Sequence, residues 1–562
     1  MRKDKKVVRR TESKSRTQMA DDLAVFSKVL AESLIPFLTH WWSDKRVVPS
    51  SGETRRLQGS IRELVRSTSH RDYKWMSEFL SRIASSVRFN KSNFINIHPS
   101  PHVPSILAAL GTMIQNPNNV VPEVSQATWA MEAECVQWMC EHLVGYDPSR
   151  AWGNTVSGGT IGNMTALLVA RDYTYHKLSR PRIGDIGSRG VIGKTPGVVL
   201  TSASSHYSLQ KALWVLGIGY DNLVRVSVAR DEIVIGRQRN DERFLKGIRD
   251  GEWGDLIRES IREESRGGEL QSFYEGNQHP FSLQPLNSEI FKALYACFTF
   301  HTPLLACVFS LGTTTTGTIE RIDSAAIRRL REEDIHLHMD AAWGGFALVS
   351  PSVKRLCPDL DRVDSIVVDG HKMGYMPYPC GCVIFRDQDS RVQIEHDAPY
   401  LRHLAPTLEG SRPGIGAAAL WAGIHSLGLE GYRNRIERVL AITQELSRQL
   451  VDSGRFQVLH SVHLNAVCVA PVPRRHETRA SLNSLCDAVR DSMNKDGKFF
   501  INAVSDFCGV RVKNKPQEAD SSLCELRAIR LVVSSPDVNV DVIMDLVASL
   551  CNHLERARRR KT

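Results

Sequence analysis

IHLHMDAAWGGFALVSPSVKRLCPDLDRVDSIVVDGHKMGYMPYPCGCVIFRD, residues 335–387, is the stretch that decides the fold. It holds three short apolar runs: IHLHMDAA (335–342), SIVVD (365–369) and GCVIFRD (381–387). Each is strand-length and rich in Val, Ile or Leu. The rhythm continues upstream in GVVLTS (197–202), NLVRVSV (222–228) and LLACVFSLG (304–312), with helical stretches between. Short apolar strands alternating with helices predict a mostly parallel sheet covered on both faces, an α/β fold.

Downstream of about 413 the pattern changes to long helices, then NAVCVAPV (465–472) and AIRLVVSSP (528–536), which read as a smaller α/β unit. Upstream, residues 17–110 read as a helical segment, with apolar residues three and four apart in DDLAVFSKVLAESLIPFL and YKWMSEFLSRIASSV. The proline-rich NFINIHPSPHVPS (93–105) interrupts it as a loop. The expected organisation is a basic disordered tail (1–16), the helical segment (17–110), a large domain (111–405) with a charged surface insertion at about 232–300, and a small C-terminal domain (406–562).

The net charge is +10. Residues 1–16 hold eight Lys/Arg against two acids and residues 555–562 hold five against one, so the ends carry the whole excess. Such ends read as solvated tails, and a nucleic-acid cleft would need basic residues in the folded body. No apolar run reaches the roughly 18–20 residues of a membrane span, and the basic N-terminus leads into no apolar secretory core. The 12 cysteines are scattered, which suits reduced thiols in a cytoplasmic protein.

Five motifs carry chemistry. VSGGTIGNMTALLVARD (156–172) runs a Gly-Gly-Thr turn into a helix, where free N–H groups and the helix dipole favour a phosphate. It is not a nucleotide-triphosphate loop, and SRGVIGKT (188–195) lacks the first glycine of one. TSASSHYSLQKA (201–212) places His206 after a strand, and FSLGTTTTGTIERID (309–323) places four threonines after another. HLHMDAAWGG (336–345) ends a strand at Asp340 before small residues; His336 and His338 alternate there, without a third residue nearby to complete a metal site. SIVVDGHKMG (365–374) ends a strand in Asp-Gly-His-Lys, where desolvation is expected to lower the Lys372 pKa and free its amine for attack on a carbonyl.

One cofactor unites the five. Pyridoxal phosphate needs a phosphate cradle, a stacking aromatic, an acid for its ring nitrogen and a lysine for a Schiff base. Gly159 and Thr160, His206, Asp340 and Lys372 offer those four roles in order.

SGGTIGNM, SSHYSLQKA, LGTTTTG, HMDAAWGG and DGHKM together resemble the group II pyridoxal-phosphate-dependent amino acid decarboxylases, over about residues 75–562. That family includes glutamate, aromatic amino acid, cysteine sulfinate, diaminobutyrate and bacterial aspartate decarboxylases. The resemblance implies the fold-type I architecture, a homodimer, and conversion of an L-amino acid to an amine and CO2 through a Lys372 Schiff base. By the same resemblance His206 stacks on the ring, Ala342 packs on its other face, Asp340 pairs with the ring nitrogen, Thr314 contacts the cofactor, and His371 lies beside Lys372. Asp369-Gly370 departs from the family's commoner Asn-Pro, which removes an expected phosphate contact.

His98, His102 and Arg412 are the candidate substrate-binding residues, Arg412 as a carboxylate fork, and a small acidic amino acid is the expected substrate. A proton donor is expected in HDAPYLRHLAPTLEGSR (396–412), at His403 or Tyr400. Two other readings stand beside decarboxylation to an amine: another carbon–carbon lyase or aldehyde-forming reaction on the same fold, and a non-catalytic scaffold.

Overall fold

The computed structural model describes residues 92–177, 197–202, 204–226, 303–320, 324–395, 405–507 and 526–560, with residues 35, 82 and 83. The expected N-terminal tail and insertion, and nearly all of the stretch expected to be helical before residue 92, lie outside the described residues. Two compact units are distinguished. One comprises residues 1–94 and 490–501; within it Phe94 N donates to Phe500 O at 2.9 Å. The other, residues 95–489 and 502–562, holds both sheets and every residue of the site described below.

In chain order the principal elements are α1 (Val103–Gln115), α2 (Gln126–Met139), β1 (Trp152–Val156), α3 (Gly159–Lys177), β2 (Val198–Ser202), α4 (Tyr207–Val215), β3 (Leu223–Val226), β4 (Leu304–Ser310), α5 (Ser324–Glu332), β5 (His336–Asp340), β6 (Ser365–Asp369) and β7 (Gly381–Phe385). There follow α6 (Ile415–Asp452), β8 (Phe456–Val458), β9 (Ala466–Pro471), α7 (Arg479–Asp496), β10 (Asn502–Phe507), β11 (Leu526–Val532) and α8 (Val540–Arg559). Seven strands form one sheet in the order β1-β7-β6-β5-β4-β2-β3, and four form a second, β10-β11-β9-β8. In the large sheet β3, β2, β4, β5 and β6 run parallel, while β7 pairs antiparallel with both β6 and β1. The six upstream strand readings match observed strands, and Trp152–Val156 is a seventh that sequence reading passed over. Its run WGNTV carries a glycine and an asparagine, which dilute the strand signal.

Burial on both faces explains the apolar runs: all residues of β4, β5, β6 and β7 are buried. On one face Leu337, Met339, Ile366 and Val368 join a core with Leu143, Phe346 and Tyr432. On the other, α3 packs across β4 to β7, with Val169 and Val367 in one cluster and Met164 and Val308 in another. The alternation that sends Leu337 and Met339 into the first core sends His336, His338 and Asp340 toward α3.

In the C-terminal basic stretch the described residues through Arg559 are helical, with Arg556, Arg559 and Arg560 exposed and Arg558 buried. Residues through Arg559 continue α8, and the buried Arg558 donates from Nε to Glu477 at 2.8 Å. The helix buries Ile543, Leu546, Leu550 and Leu554, and that apolar face carries the basic residues into order.

Candidate active site

In a parallel sheet the carboxyl ends of the strands open into one crevice. Here β6 ends at Asp369 and turns through Gly370 and His371 to Lys372, while β5 ends at Asp340 beside it. From β2 the chain turns to His206, the residue capping α4, whose Nδ1 accepts from Ser208 N at 3.2 Å. β1 leads through Ser157 and Gly158 into α3, and β4 into the threonine turn. These ends enclose a cavity of about 350 Å³ lined by Gly159, Thr160, His206, Thr314, Asp340, Ala342, His371 and Lys372 among others. Eight residues chosen from sequence thus meet in one place.

The cavity's charges are arranged around Lys372. Its side chain is 17 % exposed, and Nζ lies 3.0 Å from Asp369 Oδ2. Burial works to lower the lysine pKa, but Asp369 and Asp340 outweigh it and the net shift is upward. The expectation of a lysine freed by desolvation is therefore corrected: two carboxylates hold it as ammonium. Asp369 also lies 3.4 Å from His371 Nε2, while His371 Nδ1 accepts from Cys380 N at 3.3 Å. Burial holds His206 and His371 below the usual imidazole range, against the pull of the nearby carboxylates.

Gly159 opens the 19-residue α3, and a Cβ there would stand 2.8 Å from Ala342 Cβ and 3.1 Å from Asp369 Oδ2. Only glycine leaves that turn open beside its free N–H groups, so an anion can approach the helix end. Asp340 Oδ1 accepts from Ala342 N at 3.2 Å, which fixes the carboxylate against the strand end. A phosphate cradle, a strand-end acid, an imidazole and a lysine in one cavity are the donor set that pyridoxal phosphate requires, and the residues fit it. Asp369 has one buried oxygen, Oδ1, with no hydrogen-bond partner, and serves the lysine rather than a phosphate.

The remaining candidates fall elsewhere. His98 sits edge-on to Tyr378, with ring centres 5.4 Å apart, and burial and Lys372 both lower its pKa. Burial and then Arg435 lower the pKa of His102, whose Nε2 lies 3.0 Å from Ser426 Oγ. Neither is among the described residues lining the cavity. Arg412 is not an open carboxylate fork: it is buried, paired through both terminal nitrogens with Glu132, and donates to Thr155 O at 3.0 Å and Asn119 O at 3.2 Å. An arginine so enclosed holds β1 to α2, with both terminal nitrogens of its fork engaged inside the fold. His403 and Tyr400 lie outside the described residues.

Sequence reading missed Asn163 and Tyr378. Tyr378 lines the cavity and stacks on His371 with centres 3.8 Å apart. Asn163 Nδ2 donates to Asp340 Oδ2 at 2.9 Å. Its signal was available: it lies four residues beyond Gly159, one helical turn, and so on the same face of α3.

A family profile described as the pyridoxal-dependent decarboxylase conserved domain matches residues 288–470. The aspartate 1-decarboxylase of Aliivibrio fischeri is 26% identical over 463 residues, covering 75% of this chain and 73% of that one. The L-2,4-diaminobutyrate decarboxylase of Acinetobacter baumannii is 23% identical over 528 residues, 89% of each. Among solved structures, that of Oryza sativa TDC with PLP and tryptamine superposes with a TM-score of 0.70 at 15% identity, covering 96% of this chain and 98% of that one.

These similarities define the class: residues 288–470 match the pyridoxal-dependent decarboxylase family, in a chain of the fold-type I architecture. Within it, the protein is an amino acid decarboxylase, a carboxy-lyase whose cofactor is pyridoxal phosphate.

Proposed function

We propose that Lys372 is the residue that binds the cofactor covalently and that the substrate is a small acidic L-amino acid, aspartate or glutamate. The observation that carries the first part is the convergence of Lys372, Asp340 and the Gly159 end of α3 on one cavity. When bound, pyridoxal phosphate supplies an electron sink for the bond pair released as CO2 departs. The protein's residues orient and tune. The N–H groups at Gly159 and Thr160 hold the phosphate, Asp340 holds a proton on the ring nitrogen, and His206 and Ala342 bound the two ring faces. Thr314, which is exposed to the cavity, contacts the cofactor, and His371 packs beside the lysine.

The acidic substrate is supported by similarity to the aspartate 1-decarboxylase across three quarters of the chain. It does not draw on Arg412. His403, with Tyr400 as the alternative, returns the proton to Cα. Homodimerisation is supported by α1, which exposes Val103, Leu107, Met113 and Ile114. A cytoplasmic setting is supported by the described cysteines, which are all free. No described helix is long and apolar enough to cross a membrane.

The test is a CO2-release screen of aspartate, glutamate, diaminobutyrate and the protein amino acids with cofactor-loaded enzyme. Amine and CO2 in equal amounts, fastest from aspartate or glutamate and lost in Lys372→Ala, is the expected result. Aldehyde, ammonia and peroxide as products would replace this reading with oxidative chemistry. Retention by Lys372→Ala of the absorbance band near ~420 nm that reports a cofactor–lysine linkage would overturn the lysine assignment.

A further inference from the structure

The polar stripe that β5 turns toward α3 does not end at Asp340. His336 and His338 lie on the same face, both buried and neither lining the cavity. They belong to an unbroken chain of hydrogen bonds. His336 Nε2 is 2.8 Å from Ser365 Oγ, which is 2.8 Å from His338 Nδ1. His338 Nε2 is 2.9 Å from Asn163 Oδ1, and Asn163 Nδ2 is 2.9 Å from both Asp340 Oδ2 and Ser208 Oγ.

Chemistry allows one arrangement of protons along that chain. A carboxylate only accepts, so the Asn163 amide must face Asp340 with its NH2 group. Asn163 Oδ1 then faces His338, whose Nε2 must carry the hydrogen. His338 Nδ1 accepts from the Ser365 hydroxyl, and the Ser365 oxygen accepts from His336 Nε2–H. Each imidazole has one N–H to give, because burial keeps both neutral: it lowers the pKa of His336, and that of His338 to about 3.

We propose that Asn163, locked by His338, is the positioning residue that aims both groups assigned to the cofactor ring. One N–H of its amide holds Asp340. The other holds Ser208, whose backbone N–H fixes His206 Nδ1. His338 touches neither group. Its N–H decides which end of the Asn163 amide meets the carboxylate; without it the amide can turn over and bring oxygen against oxygen. This rests on the roles of Asp340 and His206 proposed above.

The experiment compares holoenzymes of wild type, Asn163→Leu, His338→Phe, His338→Gln and Asp340→Asn by visible spectrum and by steady-state kinetics. Loss of a hydrogen bond to a charged group predicts kcat down by about tenfold to a hundredfold in Asn163→Leu and His338→Phe. KM should change far less, and the bound-cofactor band should move in the same direction as in Asp340→Asn. His338→Gln, whose amide N–H can reach Asn163 Oδ1, should restore the band and most of kcat. Equal losses in His338→Phe and His338→Gln with a wild-type band would overturn the proposal, as would a normal His338→Phe. Should His338→Phe not fold, His338→Gln against His338→Asn carries the same test, because asparagine reaches only the Nδ1 side. Normal Asp340→Asn would instead refute the ring-nitrogen assignment itself. Impaired Asp340→Asn with normal Asn163→Leu refutes only the positioning role.

Discussion

Replacing Asp369 by asparagine should speed capture of pyridoxal phosphate by the apoenzyme at neutral pH. The Asp369 side chain is 2 % exposed and stands 3.0 Å from Lys372 Nζ. At an effective dielectric of about 20, unit charges that close attract by about 5 kcal/mol. Burial of the lysine works against this, and the two carboxylates prevail. A protonated amine has no lone pair to attack an aldehyde, so wild-type capture runs through a minor population. If about a quarter of the attraction persists as bias on the lysine, its removal raises free amine about tenfold, at roughly 1.4 kcal/mol per factor of ten.

Stopped-flow mixing of apoenzyme with the cofactor across pH reads this directly. The Asp369→Asn rate curve should sit at lower pH and be about tenfold faster near neutrality. The ion pair also stabilises the fold: its contribution is complete below the unfolded lysine value of about 10.4 and is lost as pH rises through the raised folded value. Asp369→Asn should therefore melt lower at neutral pH, with the gap closing in strong base. Superimposed rate curves for the two proteins would refute the argument that Asp369 gates the lysine.

Arg412→Ala leaves the buried Glu132 carboxylate unpaired and should cost about 3–5 kcal/mol of stability, read from denaturant midpoints; Arg412→Lys should recover little, since a point charge cannot reproduce the fork. His206→Ala should weaken cofactor affinity, measured by equilibrium dialysis, because the stacking surface is gone. His403→Phe and Tyr400→Phe should be compared for amine-to-aldehyde ratio in air, since without a proton donor the released bond pair reacts with dioxygen; unchanged ratios in both would remove the 396–412 stretch from that role.

The sheet was legible because its strands are buried on both faces: an unbroken apolar run such as LLACVFS or SIVVD leaves few other readings. Lys372, Asp340, His206 and Gly159 were legible as the lining of one cavity because each ends a strand, lies on the turn just after one, or begins a helix. What sequence concealed is pairing between distant residues. Arg412 looked like a ligand fork until Glu132, 280 residues away, was found against it. Asp369 was seen only as a missing asparagine, whereas its effect on Lys372 depends on a distance no spacing rule gives. His336 and His338 were correctly placed on one face of their strand. Their partners come from β6 and α3, so alternation alone could not tell a metal site from a hydrogen-bond chain.

A second buried acid beneath the cavity extends the electrostatic argument to stability. Glu320 is 7 % exposed, hydrogen-bonded to Ser202 Oγ, and accepts from Ser310 N at 2.8 Å. Ser310 lies opposite Asp340 in the β4–β5 register. Burial raises the Glu320 pKa from 4.5 to about 7; Asp340 pushes the same way, while the bonds from Ser202 and Ser310 hold it back. The folded state therefore binds a proton that the unfolded chain releases between those values. Stability from this group is complete below about pH 4.5 and is lost as pH rises through about 7, a change of about 3 kcal/mol over the interval. Glu320→Gln has no proton to lose, so its stability relative to wild type should grow by about 3 kcal/mol from pH 4.5 to 7 and level off above. Denaturation midpoints of the two apoproteins across that range give the comparison. Parallel curves would mean that Glu320 is ionised in the fold throughout, and that Asp340 shares its end of the sheet with a second negative charge.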